Sequence, residues 1–208
     1  LTGRLNPGVG PHDVALALVG ATYANGYVKN KVMEFVGPGV ASLSADCRNG
    51  IDCMTTETTC WSSIWQTDGV TEEYLAGHGR ADAYKELKPA DVAYYDGCIE
   101  LDLSKIECMI ALPMHPSYAY PIRELKANAK DLLHEIETRA NEQLSGKVKM
   151  DLVSKVRADG SIYVDQGIVA GCSGGTYENL CAVADILRGK SCGNGEFKFS
   201  AYPDSMPT

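Results

Sequence analysis

Cys172 has the most informative surroundings of any reactive side chain in this sequence. The segment Gly171-Cys172-Ser173-Gly174-Gly175 follows an apolar run over 162–170 and precedes a helical pattern over 177–188. A glycine-rich loop between a strand and a helix falls at the carboxyl edge of a sheet, where open α/β proteins bind ligands. The free N–H groups opening such a helix favour an anion or a thiolate. Gly174 and Gly175 let the backbone come close to a bulky group. Three roles suit Cys172 there: ligand to a metal or cluster, nucleophile, or member of an anion-binding loop. A tight strand-to-helix turn with an inert cysteine fits the pattern equally well.

Glu57 is the second candidate, a single acid among Thr55, Thr56, Thr58 and Thr59. A carboxylate in a hydroxyl-rich turn suits acid–base or metal chemistry, and a solvated acid is the simpler reading. The histidines (His12, His78, His115 and His134) are dispersed and form no ligand spacing. Only His115, flanked by Pro113 and Pro116, falls near a plausible cleft.

The eight cysteines contain no Cys-x-x-Cys pair, so no self-contained zinc or iron–sulfur site is visible. Eight in 208 residues is also too sparse for a disulfide-stapled secreted scaffold. Most therefore read as small buried hydrophobes in a reducing, cytoplasmic compartment. A net charge of −8 with scattered cations argues against nucleic acid as a partner. No apolar run approaches the roughly 20 residues of a membrane span. The opening segment over 1–11 lacks the pattern of a signal peptide.

The elements that position these residues alternate in type. Pro11, Asp13 and the run Val14, Leu16, Leu18 and Val19 predict a helix over 11–23. A short strand follows over 31–36, closed by the turn Gly37-Pro38-Gly39. Leu43, Cys47, Ile51 and Met54 recur at helical spacing, with Gly50 interrupting. The stretch 68–87 reads as loop plus surface helix. Strands are expected over 98–103 and 108–112, joined at Ser104-Lys105. Pro113, Pro116 and Pro121 then make a rigid connection and a domain boundary. Leu125, Ala129, Leu132, Ile136, Ala140 and Leu144 form one apolar stripe, predicting a helix over 124–144. A buried strand over 162–170, the Cys172 loop and the helix over 177–188, capped by Gly189, complete an α/β layered architecture.

Several segments, in order, resemble the aconitase superfamily. Glu34-Phe35-Val36-Gly37-Pro38-Gly39-Val40 is similar to its strand and Gly-Pro-Gly-Val turn. Cys53-Met54-Thr55-Thr56-Glu57 resembles its Asn-Met-Gly-Ala-Glu stretch, and Gly79-Arg80-Ala81-Asp82 matches a family Gly-Arg-Ala-Asp. Gly171 to Leu180 resembles its Cys-Thr-Asn-Ser-Ser-Tyr-Glu-Asp loop. The resemblance covers nearly the whole chain and implies an α/β/α cluster-binding region: a second subdomain over 1–115 and the start of a third over 116–208. It implies a hydro-lyase that dehydrates and rehydrates a tri- or dicarboxylic hydroxy acid with a [4Fe–4S] cluster. Cys172 would be a cluster ligand, Cys53 would stand beside the cluster where the family has Asn, and Glu57 would face the reacting hydroxyl. The family's other two ligands, a Cys-x-x-Cys, have no match here. The missing remainder of its own chain is thus an implied partner, and the fragment alone is expected to be inactive. An isopropylmalate- or homoaconitate-type isomerase, a cluster-less non-catalytic paralogue and a thiol enzyme using Cys172 remain alternatives.

Overall fold

The structure is a computed structural model that describes residues 1–193, 195 and 197–206. Helix α1 (Pro11–Thr22) starts where Pro11 supplies a preset φ and Asp13 accepts the Gly10 N–H at 2.7 Å. The second Asp13 oxygen accepts the Met109 N–H at 2.6 Å, so one carboxylate caps the helix and holds a distant strand. Strand β1 (Val32–Phe35) pairs in parallel with β2 (Ser62–Trp65), bringing the Phe35 and Trp65 rings into a stack at 4.2 Å. After β1, Gly37 adopts a φ of +104°, and a Cβ there would stand 2.6 Å from the Leu1 carbonyl oxygen. Only glycine lets the chain turn against that backbone.

Helix α2 (Ala45–Met54) is capped by Ser44, whose hydroxyl accepts the Cys47 N–H at 3.1 Å. Arg48 reaches from α2 to grip Asp68 with two bonds of 2.8 Å, and Asp68 in turn caps α3 (Gly69–Gly77). The Arg48 guanidinium holds the Asp68 carboxyl below its usual range. Val14, Leu18, Phe35, Leu43, Cys47, Ile51, Leu103 and Ile106 form the first core.

Strands β3 (Met109–Ala111) and β4 (Ala119–Pro121) make an antiparallel hairpin that packs on α1. Helices α4 (Ile122–Ala127) and α5 (Ala129–Gln143) follow, and Leu112, Leu125, Leu133 and Ile136 build a second core. The chain then returns to the first: β5 (Gln166–Val169) leads into the one-turn α6 (Gly171–Gly174) and α7 (Tyr177–Leu187), and β6 (Lys198–Ala201) pairs in parallel with β5.

The expected α/β mixture is present, with the strands of the described residues in three two-stranded sheets. Four local expectations are corrected. The segment 98–103 forms no strand; Asp102 makes one bridge to Thr2, then accepts the Ser104 N–H and winds Leu103–Lys105 into a 3-10 turn. The rigid connection expected of the prolines over 113–121 is a hairpin loop and strand end, with Met114 at φ +88°. The stripe over 124–144 is two helices, broken at Asn128, whose side chain bonds back to the Glu124 carbonyl at 3.3 Å. The strand within 162–170 is confined to β5 and only half-buried.

Candidate functional site

The last turn of α2 carries Cys53, and it is braced from β2. Asp52 accepts hydrogen bonds from the Ser63 hydroxyl and, at 3.0 Å, from Trp65 Nε1. The chain then tightens into a 3-10 turn, Thr55–Thr58, in which the buried hydroxyls serve the backbone. Thr58 Oγ1 donates to the Thr55 carbonyl at 2.6 Å and Thr55 Oγ1 to that of Asp52 at 2.7 Å. The threonines therefore shape the turn, while Glu57 points its carboxylate into solvent.

Cys172 lies within α6, one helical turn, where the sequence suggests a loop before a longer helix. Its neighbour Ser173 anchors the turn. The Ser173 hydroxyl donates to the Gly50 carbonyl on α2 at 2.8 Å and lies 3.3 Å from His12 Nε2 on α1. Asn179 of α7 donates to the Ser173 carbonyl at 2.9 Å. Gly50, unfavourable inside a helix, is explained here: its Cβ would stand 2.9 Å from the Pro11 Cβ and 3.5 Å from the Ser173 carbonyl oxygen. Burial lowers the His12 imidazole from its usual pKa, opposed by the charge of Asp13. His12 is exposed yet lies against the turn, a contact its isolated place in the sequence does not disclose.

The N-terminus of α7 is stapled to that of α2. Ser44 Oγ donates to Glu178 at 2.6 Å, and the Glu178 N–H donates to Asp46 at 3.0 Å. The result brings two predicted site residues together. The Cys53 thiol donates to the Cys172 carbonyl oxygen at 3.7 Å, which sets it beside the Cys172 side chain. Burial first, then this contact, pushes the Cys53 thiol up to about 11, so it is protonated at neutral pH. Glu57 follows Cys53 by one turn and, among the described residues, makes no hydrogen bond to Cys172.

The cysteines are less buried than expected. Cys47 alone is fully buried, and burial pushes its thiol up to about 12; Cys98, Cys108, Cys172, Cys181 and Cys192 are exposed. Cys181 lies on α7, which buries no residue. A cavity of about 920 Å³ opens along β1 between Met33, Trp61, Tyr94 and Ile99, and neither Cys53 nor Cys172 lines it.

Among the described residues no three His, Cys, Asp or Glu side chains converge to hold a metal ion. Cys172 nonetheless suits one corner of a larger site. It is exposed, and nothing lies within 4 Å of where a Gly171 side chain would be, which leaves room for a bulky group. No helix among the described residues is long and apolar enough to cross a membrane.

Comparison with known proteins identifies the family. The 2,3-dimethylmalate dehydratase large subunit of Eubacterium barkeri is 30% identical over 195 residues, covering 94% of this chain and 38% of that protein. The 3-isopropylmalate dehydratase large subunit of Clostridium kluyveri is 28% identical, covering 91% of this chain and 37% of its own length. Large subunit 1 of the same enzyme from Pyrococcus furiosus is 30% identical over 90% of this chain and 36% of that protein. The chain thus spans less than two fifths of the relatives it matches. Residues 1–208 match the profile of the Aconitase family (aconitate hydratase), and with the ordered motifs folded as described, this chain belongs to the aconitase family.

Proposed function

We propose that this chain is the part of a hydro-lyase that carries one cluster ligand and one acid–base group for the dehydration of a hydroxy-carboxylic acid. The observation that carries the reading is the meeting of Cys172 with Cys53 across 119 residues, one turn before Glu57. Two of the four resembling segments thereby meet in space as well as in order. The relatives named above act, by their names, on substituted malates, which favours an alkyl-malate over citrate as substrate. Being large subunits, they point to a small-subunit partner, which joins the remainder of the chain in completing the site. The resemblance sets the subdomain boundary near residue 115, while the two cores divide between Ile106 and Ile110.

Cys172 would supply one thiolate to a [4Fe–4S] cluster, which when bound provides a Lewis-acidic iron for the substrate hydroxyl. Glu57, solvent-facing and unencumbered by its threonines, would hydrogen-bond that hydroxyl and pass it a proton as it leaves as water. The opposing carbon-bound proton must go to a base outside this chain. The free thiols of the described residues support a reducing, cytoplasmic setting.

The test is anaerobic iron–sulfur reconstitution of the complete protein with its small subunit, wild type beside Cys172→Ser and Glu57→Gln. Water loss from 2,3-dimethylmalate, 3-isopropylmalate and citrate is then followed. A cluster signal absent from Cys172→Ser, with turnover lost in Glu57→Gln, upholds the reading. Failure of the wild type to take up iron favours the cluster-less paralogue, and full activity in both variants defeats the assigned roles.

A further inference from the structure

We infer that Cys53 and Cys172 are a disulfide-forming pair, a covalent modification site built into the contact between α2 and α6. Cys53 already directs its thiol at Cys172, with Sγ 3.7 Å from the Cys172 carbonyl oxygen. Other thiols point elsewhere: Cys60 to the Thr55 carbonyl at 3.3 Å and Cys108 to the Gly8 carbonyl at 3.4 Å. Cys172 is exposed enough to meet a small oxidant, while Cys53 is half-buried and reached most readily through Cys172. Flexibility is local. Gly171, at φ +81° with open space around it, frees the chain before Cys172, whereas Ser173 pins the chain after it to Gly50. The sulfurs can therefore close without moving the core.

The oxidant is a small-molecule disulfide. The Cys172 thiol gives its proton to solvent, and its thiolate attacks one sulfur of that disulfide, whose S–S bond breaks to release one thiol. Cys53, deprotonated in its turn, then attacks Cys172 Sγ and expels the second thiol. Two cysteine thiols lose two electrons, and one small disulfide becomes two thiols. On the hydratase reading, the closed bond withholds Cys172 from iron, so oxidation blocks cluster loading until a reductant reopens it.

The experiment uses the complete, metal-free protein, incubated anaerobically with oxidised glutathione, alkylated, digested and analysed by mass spectrometry without reduction. A Cys53–Cys172 link that appears with oxidised glutathione and disappears with dithiothreitol is the expected result. Cys53→Ser should lose the link and leave Cys172 as a mixed disulfide with glutathione, with circular dichroism unchanged. Cys60→Ser and Cys181→Ser, whose thiols fall in the same tryptic peptides, should keep it. Absence of the link in wild type, or pairing of Cys172 with Cys181, overturns the inference. Iron uptake is read separately: reduced protein that takes up none overturns the hydratase reading, whereas the link by itself decides the disulfide.

Discussion

The Ser173 hydroxyl donates its hydrogen bond to the carbonyl of Gly50, 123 residues earlier, at 2.8 Å. That one bond sets the one-turn helix carrying Cys172 on the helix carrying Cys53. Ser173→Ala should lower stability by about 1 kcal/mol, the usual worth of a buried neutral hydrogen bond. It should also weaken the Cys53–Cys172 contact, seen as faster alkylation of Cys53. Unchanged Cys53 reactivity would show that the turn is held by other means.

Gly50→Ala tests the close approach of α1, α2 and α6. Helix propensity alone predicts a gain of about 1 kcal/mol. The added Cβ would meet Pro11 at 2.9 Å, and overpacking of this kind costs about 1–3 kcal/mol. The expected result is a lower urea midpoint; a stabilised variant would show that the helices can part freely.

Breaking the Arg48–Asp68 pair should be among the costliest single changes in the first core. Arg48 is buried, and Arg48→Met leaves the Asp68 carboxylate with the α3 N–H groups alone. About 3 kcal/mol of lost stability is expected, the lower end for a broken buried pair because Asp68 keeps some water. Urea denaturation measures it, and a loss below half that amount counts against the pair as a structural tie.

His12 is an exposed residue, and partial desolvation of its ring against the α6 turn sets the sign of a pH dependence. Its folded pKa lies below the ordinary 6.5 of the unfolded chain, so the unfolded state binds the extra proton first. Its contribution is fully present above 6.5 and is lost as the pH falls from there towards the folded value. His12→Asn should flatten the stability curve in that window, as read from urea midpoints across pH. A curve as steep as wild type would place the titration elsewhere.

Glu57→Gln separates chemistry from folding. The carboxylate is exposed and the surrounding threonines bond the backbone, so stability should not change. Turnover by the complete, cluster-loaded enzyme should fall about 10²- to 10⁴-fold, the range for losing a general acid–base group. Thr58→Val should do the reverse, lowering stability by about 1 kcal/mol through its buried hydroxyl.

Much of this was legible in local sequence, where local chemistry governs. Pro11 and Asp13 announce α1, and the spacing of Leu43, Cys47, Ile51 and Met54 announces α2. The short partners β2, β4 and β6 were not legible, since three or four residues such as Ser62–Trp65 carry too little pattern to stand out. Ile99, Leu101 and Leu103 alternate as in a strand and do pack on the first core, yet no neighbour offers them a ladder. Burial satisfies the period of two with only a single bridge to Thr2, through Leu101 and Leu103, in place of a ladder. At the candidate site, Cys172 and Glu57 stood out by their surroundings, and Cys53 through the order of motifs. The links through Ser173, Gly50 and His12 did not, because a contact between distant segments leaves no local period; Gly50 inside a helix was the one clue.

The contacts that assemble the site join residues 119, 123 and 134 positions apart. Loop-closure entropy rises only with the logarithm of length, so these spans weigh little on equilibrium stability. They weigh on rate, since distant pairings form late in folding. The α1–α2 core can gather early from nearby sequence, and the α6 turn must then find it. A nascent chain would hold its first core well before Cys172 reached Cys53, with both thiols open to solvent in that interval.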